Sequence, residues 1–228
     1  MDAASTPVSA GSLKGDTTIE EPSHAARATA RRSAEIRATV PDLELSVEAD
    51  GGALVARAAA EQCSTTALLI AACAGALRAF PRVNGAYRDG RYELYSRINI
   101  GVVIETAQTP VTATVLDADA KSPPELDAEL SRLRARARSG ELTPPEQAGA
   151  TFTFDDLGES GVHRAAGLVR PSQAAILTAG AIRALPVVRD GAVVPGHQLT
   201  LTLACDHRIV FGAHAAGFLR RVMELVQG

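Results

Sequence analysis

The chain has 228 residues, of which 46% are apolar and 4% aromatic, with no tryptophan and a formal net charge of −3 at pH 7. This length is enough for one large domain with a substantial core, built mainly from Ala, Val, Leu and Ile. The slight acidity favours neither nucleic acid nor an anionic membrane as a partner.

Cysteine usage and the N-terminal segment indicate the compartment. Cys63, Cys73 and Cys205 are widely spaced, which fits neither a disulfide framework nor a zinc site and is typical of a reducing cytosol. No apolar run approaches the roughly 20 residues needed to span a bilayer. Residues 1–24 are rich in Ser, Thr, Ala, Pro and Gly without an apolar signal core. We predict a cytoplasmic protein with a disordered tail over residues 1–24.

The first third of the chain alternates helical and strand patterns. Residues Ala25 to Arg37 are rich in Ala and Arg and predict a helix with a cationic face. Leu43 to Ala49 alternates apolar and polar residues, which predicts a strand that is closed by Asp50-Gly51-Gly52. Ser64 can cap a helix from Thr65 to Phe80, which is apolar almost all round and is therefore expected at the centre of the fold.

The middle of the chain predicts strands followed by an amphipathic helix. Strand patterns cover Tyr92 to Tyr95, Ile98 to Ile104 and Pro110 to Leu116. The helix, from Glu125 to Arg138, begins after Pro123-Pro124 and places leucines on one face.

The last third predicts the rest of a sheet and a closing helix. The predicted strands are Ala150 to Phe154, Ala174 to Ala179, Ala184 to Val188 and Gln198 to Ala204, and the helix runs from Gly212 to Val226. No repeat or internal linker interrupts the pattern. We predict an α+β domain over residues 25–228, with a mixed sheet covered by helices mainly on one face.

His207 is at a position in the predicted fold that suits a catalytic base. His207 follows the last predicted strand and lies between Asp206 and Arg208. An imidazole at a strand end is well placed for general-base catalysis because its ordinary pKa is near neutrality. A purely structural histidine is the competing interpretation. Asp206 and Arg208 are expected to be structural, holding the turn through charge-assisted hydrogen bonds.

Ordered motifs from residue 25 onward resemble the acyltransferase (catalytic) domain of 2-oxo acid dehydrogenase complexes, a relative of chloramphenicol acetyltransferase. Asp206-His207-Arg208 is similar to the family's D-H-R-x-x-D-G signature. Further similar segments are Ala38-Thr39-Val40-Pro41, Phe80-Pro81-Arg82-Val83-Asn84, Ile98-Asn99-Ile100-Gly101-Val102, Gly140-Glu141-Leu142-Thr143-Pro144, Thr151 to Gly158 and Pro171 to Leu177.

The resemblance implies a chloramphenicol-acetyltransferase-like fold and a homotrimer with active sites between subunits. His207 of one chain would then face Asp155 of its neighbour. It also implies acetyl-CoA as co-substrate, with no bound cofactor and no metal. The histidine would take the proton of the acyl acceptor, and the freed nucleophile would attack the thioester.

Three departures separate the chain from the family pattern. There is no room for lipoyl and subunit-binding domains, which suggests a stand-alone member. The second signature aspartate is replaced by Phe211, so the family's salt bridge from that position to an N-terminal-helix arginine cannot form. The serine that donates to the oxyanion aligns with Asp155, whose ionised carboxylate would repel developing negative charge.

Asp155 and its neighbours leave several roles open. Asp155 is a solvated loop acid, a ligand for a polar group of the acceptor, or a protonated donor to the oxyanion. Thr153 lies on the same strand face and is a fallback donor, and Asp156 is a further substrate-binding candidate. Phe211 either fills the space of the lost ion pair or lines a reshaped acceptor channel.

These features together predict an acyltransferase that moves an acetyl group from acetyl-CoA to a hydroxyl of a small molecule. Free-standing relatives that acetylate a glyceryl-tetronate in antibiotic biosynthesis suggest one acceptor. The alternatives are the lipoamide acyltransferase core of a 2-oxo acid dehydrogenase complex and a non-catalytic scaffold. No nucleic-acid or membrane partner is expected.

Overall fold

The computed structural model describes residues 6–8, 13–107 and 109–227, and the chain divides into two compact units, residues 1–35 and 36–228. In the first unit, strands β1 (Thr6–Val8) and β2 (Thr17–Ile19) pair antiparallel ahead of helix α1 (His24–Thr39), which ends in the second unit. The sequence predicts this helix, over Ala25 to Arg37, but not the two strands ahead of it. Residues 1–5 and 9–12 of the expected tail lie outside the described residues, and the domain boundary after residue 24 stays a prediction.

The second unit opens with a strand that runs directly into a helix. Strand β3 (Asp42–Asp50) is followed without a loop by α2 (Gly51–Glu61), because the Asp50 carboxylate caps the helix by accepting from the Gly52 and Ala53 amides. Asp50-Gly51-Gly52 closes the strand as predicted, but the helix that begins there is not predicted from the sequence. Aspartate before glycine suits both a turn and a helix N-cap, and here the alanine-rich continuation favours the helix.

The remaining elements follow the predicted order with shifted ends, except for β4, which is not predicted from the sequence. They are α3 (Thr65–Ala79), β4 (Gly85–Arg88), β5 (Arg91–Leu94), β6 (Ile100–Ile104), β7 (Val111–Val115), α4 (Pro123–Ser139), β8 (Phe152–Asp156), β9 (Ala175–Ala179), β10 (Arg183–Arg189), β11 (Ala192–Asp206) and α5 (Gly212–Gln227).

Most strands join one seven-stranded mixed sheet, in the order β10-β11-β9-β8-β6-β7 with β3 also on β11. Strands β6, β8 and β9 are parallel to one another, whereas β11 runs antiparallel to β3, β9 and β10. Because Gln198 pairs with both Arg183 and Asp50, β10 and β3 flank opposite sides of β11. The predicted α+β fold with a mixed sheet is confirmed.

One face of the sheet carries the main core. Phe152 of β8 packs against Phe218 of α5, which also meets Phe80 at the end of α3 edge to face. Helix α3 is buried over most of its surface, as predicted, and Gly75 lets it approach Leu225 of α5 closely. Burying this many aliphatic and aromatic side chains, at about 25 cal/mol per Å² of apolar surface, is the main stabilising contribution.

The opposite face of the sheet is lined by short polar side chains. Strand alternation places Thr153, Asp155, Thr178 and Thr202 on it, because their neighbours along each strand belong to the core. Part of this face is covered by a separate small apolar cluster around Ile176 and by the segment before β9. The sheet therefore has one apolar face, which packs on α3 and α5, and one face where the threonines are buried.

No single helix in the described part of the chain is long and apolar enough to cross a membrane. Helices α2 and α3, bent by 99° at the break between them, meet the length and composition criteria only as a pair.

Candidate active site

A short turn at the end of β11 holds His207. The Asp206 amide donates to the Ala174 carbonyl at 2.8 Å, and the Asp206 carbonyl accepts from the Ile209 and Val210 amides. The His207 amide donates to the Pro41 carbonyl at 2.9 Å. Backbone hydrogen bonds to three parts of the chain thus hold the turn that carries His207, while the His207 side chain is exposed.

An ion pair within the turn reinforces it. Arg208 donates to Asp206 through its backbone amide at 3.0 Å, and through Nε at 2.9 Å and a terminal nitrogen at 2.7 Å. Asp206 is 3% exposed, and the Arg208 guanidinium lies 4.7 Å from the centre of the Tyr87 ring. Bidentate pairing raises the pKa of Arg208 above its usual value. These contacts support the structural role predicted for Asp206 and Arg208.

The side chain of His207 faces an aromatic neighbour. The Phe211 ring lies edge-on to the imidazole, with centroids 5.7 Å apart and planes at 84°, and 42% of Phe211 is exposed. Among the described residues, the imidazole has no hydrogen-bond or ion-pair partner. Its ring nitrogens are therefore open to a substrate, with Phe211 forming an apolar wall beside them.

Asp155 lies at the carboxyl end of β8 on the polar face of the sheet, with Thr178 of β9 opposite it in the register. It is half-buried. Burial and the nearby Glu105 and Asp156 carboxylates raise its pKa from 3.8 to about 6, whereas Arg170 acts in the opposite direction. Asp155 is therefore part of the strand rather than a loop acid, and it ionises close to neutral pH.

Within one chain, Asp155 and His207 are far apart. Asp155 pairs with Thr178 near the end of β9, whereas Asp206 bonds to Ala174 just before β9 begins. At strand spacings of about 4.8 Å and a rise of about 3.3 Å per residue, the Cα atoms of Asp155 and Asp206, the residue before His207, are about 16 Å apart. The two side chains of one chain therefore do not share a substrate atom.

Two other predicted substrate contacts already have protein partners. The Thr153 hydroxyl is fully buried and donates to Gln173 Oε1 at 2.6 Å. Asp156 accepts from the Thr66 hydroxyl at 2.6 Å and from the Gly158 amide at 2.9 Å. These contacts favour structural roles for both residues, with Asp156 joining the start of α3 to the end of β8. Their roles in substrate binding stay predictions.

An open cavity of about 380 Å³ lies at the carboxyl ends of β8 and β9. Its apolar wall includes Leu54, Leu69 and Ile182, and its polar rim includes Thr65, Arg134 and Glu159. The volume is that of a small-molecule site, and ligands of α/β proteins commonly bind beyond the carboxyl ends of parallel strands. The sequence gives no signal for it, since its walls come from segments far apart in the chain.

The described residues hold no group of three or more His, Cys, Asp or Glu that could bind a metal ion. The site residues predicted from the sequence form two separate groups in the structure. His207, Phe211, Asp206 and Arg208 lie together at one end of the sheet, and Asp155, Asp156 and Thr153 lie together on β8.

Comparison with known proteins places this arrangement in a family. The family model described as 2-oxoacid dehydrogenases acyltransferase (catalytic domain) matches residues 14–228. The dihydrolipoyllysine-residue acetyltransferase component of pyruvate dehydrogenase from Zymomonas mobilis is 32% identical over 98% of this chain and 53% of its own length. The Bacillus subtilis component is 31% identical over 92% of this chain and 50% of its own length. The chain spans about half the length of these curated relatives.

Solved structures agree with this assignment. A probable dihydrolipoamide acetyltransferase from Listeria monocytogenes superposes with a TM-score of 0.86 and 28% identity, over 94% of this chain and 96% of that chain. The Azotobacter vinelandii dihydrolipoamide acetyltransferase, studied for the catalytic role of a serine, a histidine and an asparagine, gives 0.87 and 26% over 97% of both chains. Chloramphenicol acetyltransferase shares the fold, with a TM-score of 0.55 and 16% identity over 86% of this chain and 94% of that chain.

Proposed function

The chain belongs to the 2-oxoacid dehydrogenase acyltransferase family, and from this premise we propose that it transfers an acetyl group between CoA and the thiol of a dihydrolipoyl group. The names of the curated relatives support this acceptor better than the hydroxyl acceptor expected from the sequence. Acyl transfer itself follows from the family.

The spacing of the site residues carries the proposal. In the Azotobacter enzyme the asparagine follows the histidine by four positions, as Phe211 follows His207. The serine precedes that histidine by as many positions as Asp155 precedes His207. The histidine is thus present in this chain at the matching position, while both of its partners differ.

His207 acts as the general base. Its exposed imidazole accepts the proton of the acceptor thiol, and the thiolate attacks the thioester carbonyl of acetyl-CoA to form a tetrahedral intermediate. As the intermediate collapses, the C–S bond to CoA breaks and the imidazolium returns the proton to the CoA thiolate. The braced turn supports this role because it fixes the backbone that carries the base.

Asp155 binds the acceptor in its ionised form. A pKa of about 6 leaves the carboxylate mainly charged at pH 7.5, so it would weaken rather than stabilise an oxyanion beside it. A hydrogen bond accepted from an N–H or O–H of the acceptor suits a half-buried carboxylate better. The protonated-donor role stays the alternative, and substitution by asparagine separates the two.

The active site is assembled between subunits of a homotrimer. The separation of Asp155 from His207 within one chain supports this arrangement, since the two residues can serve one substrate only if they come from different copies. Light scattering of the purified chain tests it. A stable assembly of three copies is expected, and a monodisperse monomer would contradict it.

A second candidate is transfer of the acetyl group to a small-molecule hydroxyl, such as that of a glyceryl-tetronate. The observation that favours it is the replacement of both partners of the histidine by Asp155 and Phe211. A carboxylate and an aromatic wall suit a polyhydroxylated or cyclic acceptor, whereas the family residues serve a lipoyl arm.

Initial rates with acetyl-CoA test these proposals directly. Dihydrolipoamide and small hydroxyl acceptors are compared at equal concentration, with His207→Ala as the control. Turnover with dihydrolipoamide supports the first candidate, and turnover restricted to hydroxyl acceptors supports the second. Absence of turnover, together with no thermal stabilisation by CoA, would overturn both and favour the non-catalytic scaffold.

A further inference from the structure

A row of polar side chains crosses the sheet beside Asp155. In the register, Asp155 of β8 lies opposite Thr178 of β9, Thr178 opposite Thr202 of β11, and Thr202 opposite Ser46 of β3. Residues opposite each other in register project to the same face, so these four side chains are lateral neighbours. All of them are on the sheet face opposite the one that packs on helices α3 and α5.

The hydrogen bonds within this row are incomplete at one position. The hydroxyls of Thr202 and Ser46 bond to each other at 3.0 Å. Thr178 is 1% exposed, and its Oγ1 is buried without a hydrogen-bond partner among the described residues. A buried hydroxyl without a partner is costly, so its hydrogen is expected to find an acceptor in the working protein.

The Asp155 carboxylate is an acceptor directly beside Thr178 in this row. Adjacent strands are about 4.8 Å apart, so a change of rotamer at Thr178 brings its hydroxyl within hydrogen-bonding distance of the carboxylate. We propose that Thr178 is a positioning residue for Asp155, and that its hydroxyl donates to the ionised carboxylate and orients it toward the acceptor. The catalytic consequence rests on the proposed function, whereas the contact itself does not.

The charged groups around Asp155 determine how strongly a hydrogen bond from Thr178 affects its ionisation. Glu105 after β6 and Asp156 on β8 are anionic and oppose ionisation, while Arg170 before β9 favours it. Thr178 supplies the neutral donor from the β9 side. A hydrogen bond to the charged form of an acid lowers its pKa, so removing the donor raises the pKa.

Carboxyl carbon-13 NMR of the assembled full-length protein measures this contact without any activity assay. Thr178→Val keeps the shape and removes the hydroxyl, and the pKa of Asp155 is expected to rise by about one unit. Thr178→Ser keeps the hydroxyl and should titrate as wild type. Thr114→Val is the matched control, because Thr114 is 2% exposed on the same sheet face with an unpartnered hydroxyl, but lies in a different row.

The Asp155 titrations in these variants distinguish a hydrogen bond from Thr178 from a general effect of altered packing. Equal Asp155 titrations in wild type and Thr178→Val would overturn the proposal, and so would an equal rise in Thr114→Val. If Thr178→Val does not fold, Thr178→Ala replaces it with the same expected rise, and an unchanged titration there overturns the proposal.

Enzyme kinetics then test the catalytic consequence. In Thr178→Val the acid limb of the pH–rate profile should move to higher pH together with the Asp155 titration, and Thr178→Ser should restore it. A wild-type protein without turnover would defeat the proposed function while leaving the NMR result intact. A shifted Asp155 titration with an unmoved acid limb would confine Thr178 to a structural contact and contradict its positioning role.

Discussion

The imidazole of His207 meets the edge of the Phe211 ring at a centroid distance of 5.7 Å, with the two planes at 84°. The proposed catalytic base is therefore bordered by an aromatic ring, four positions after it, where the Azotobacter enzyme has an asparagine at the same spacing from its histidine. We expect Phe211 to limit which acceptors reach His207, and this expectation is testable by mutation.

Truncation of this wall should weaken acceptor binding. In Phe211→Ala, the apolar surface lost from the site is expected to raise the acceptor KM roughly tenfold, with the KM for acetyl-CoA little changed. Steady-state kinetics with each substrate varied in turn measure both constants. Val188→Ala removes a more exposed apolar side chain from the β10–β11 hairpin and serves as the control. Equal effects of the two variants would argue against a channel role for Phe211.

Removal of the base should abolish most turnover. His207→Ala is expected to lower kcat by roughly 10²–10⁴, because proton transfer is lost while substrate positioning remains. Isothermal titration should show nearly unchanged CoA affinity. Undiminished turnover in this variant would end the catalytic assignment of His207.

Asp155 should lower stability where it is ionised. Its pKa in the folded protein, about 6, exceeds the ordinary value of 3.8, so the folded state disfavours the charged form. The cost is absent below about pH 4 and complete above pH 6. Asp155→Asn should therefore raise Tm at pH 8, and the gain should disappear as the pH falls toward 4. A gain that is the same at both pH values would show that ionisation is not its cause.

The same variant distinguishes the two roles of Asp155 in catalysis. If the carboxylate binds the acceptor, Asp155→Asn should mainly raise the acceptor KM. If a protonated Asp155 donates to the oxyanion, the amide should retain much of kcat and reduce the loss of activity at high pH. Rate profiles from pH 5 to pH 9 give both constants, and a KM unaffected by the substitution would contradict acceptor binding.

The ion pair between Asp206 and Arg208, which holds the turn that carries His207, should contribute to the free energy of unfolding. Asp206→Ala removes a buried carboxylate that accepts several bonds from Arg208, with an expected loss of about 1–3 kcal/mol in the free energy of unfolding. Glu224→Ala removes the exposed pair with Arg221 within helix α5 and should have little effect. Urea unfolding compares the two, and equal losses would contradict a special role for the braced turn.

Local patterns predict much of the fold. The alternation from Leu43 to Ala49 and the apolar surface of Thr65 to Phe80 give β3 and α3 almost to the residue. The strand before His207 is also correct, but β11 begins at Ala192. Its first part forms a long hairpin with β10, and pairing of this kind has no signature in local alternation.

The site is less accessible to sequence reasoning because its contacts join distant segments. Asp155 and Thr153 share a strand face, as alternation predicts. The bond from Thr66 to Asp156 and the pairing of Asp155 with Thr178 depend on which strands become neighbours. Thr178 reads as an ordinary strand residue until the register places it beside a carboxylate.

The central claim is that His207 of one copy and Asp155 of another form one active site, and mixed assemblies test it most directly. His207→Ala and Asp155→Lys, each expected to be nearly inactive, are co-expressed with different tags, and the hybrid assemblies are purified through both. In a cyclic trimer that contains both chains, one of the three shared sites has both native residues, so the account predicts recovery to about a third of wild-type turnover. Hybrid assemblies no more active than the two parent variants would show that both residues act within one chain and would contradict the account.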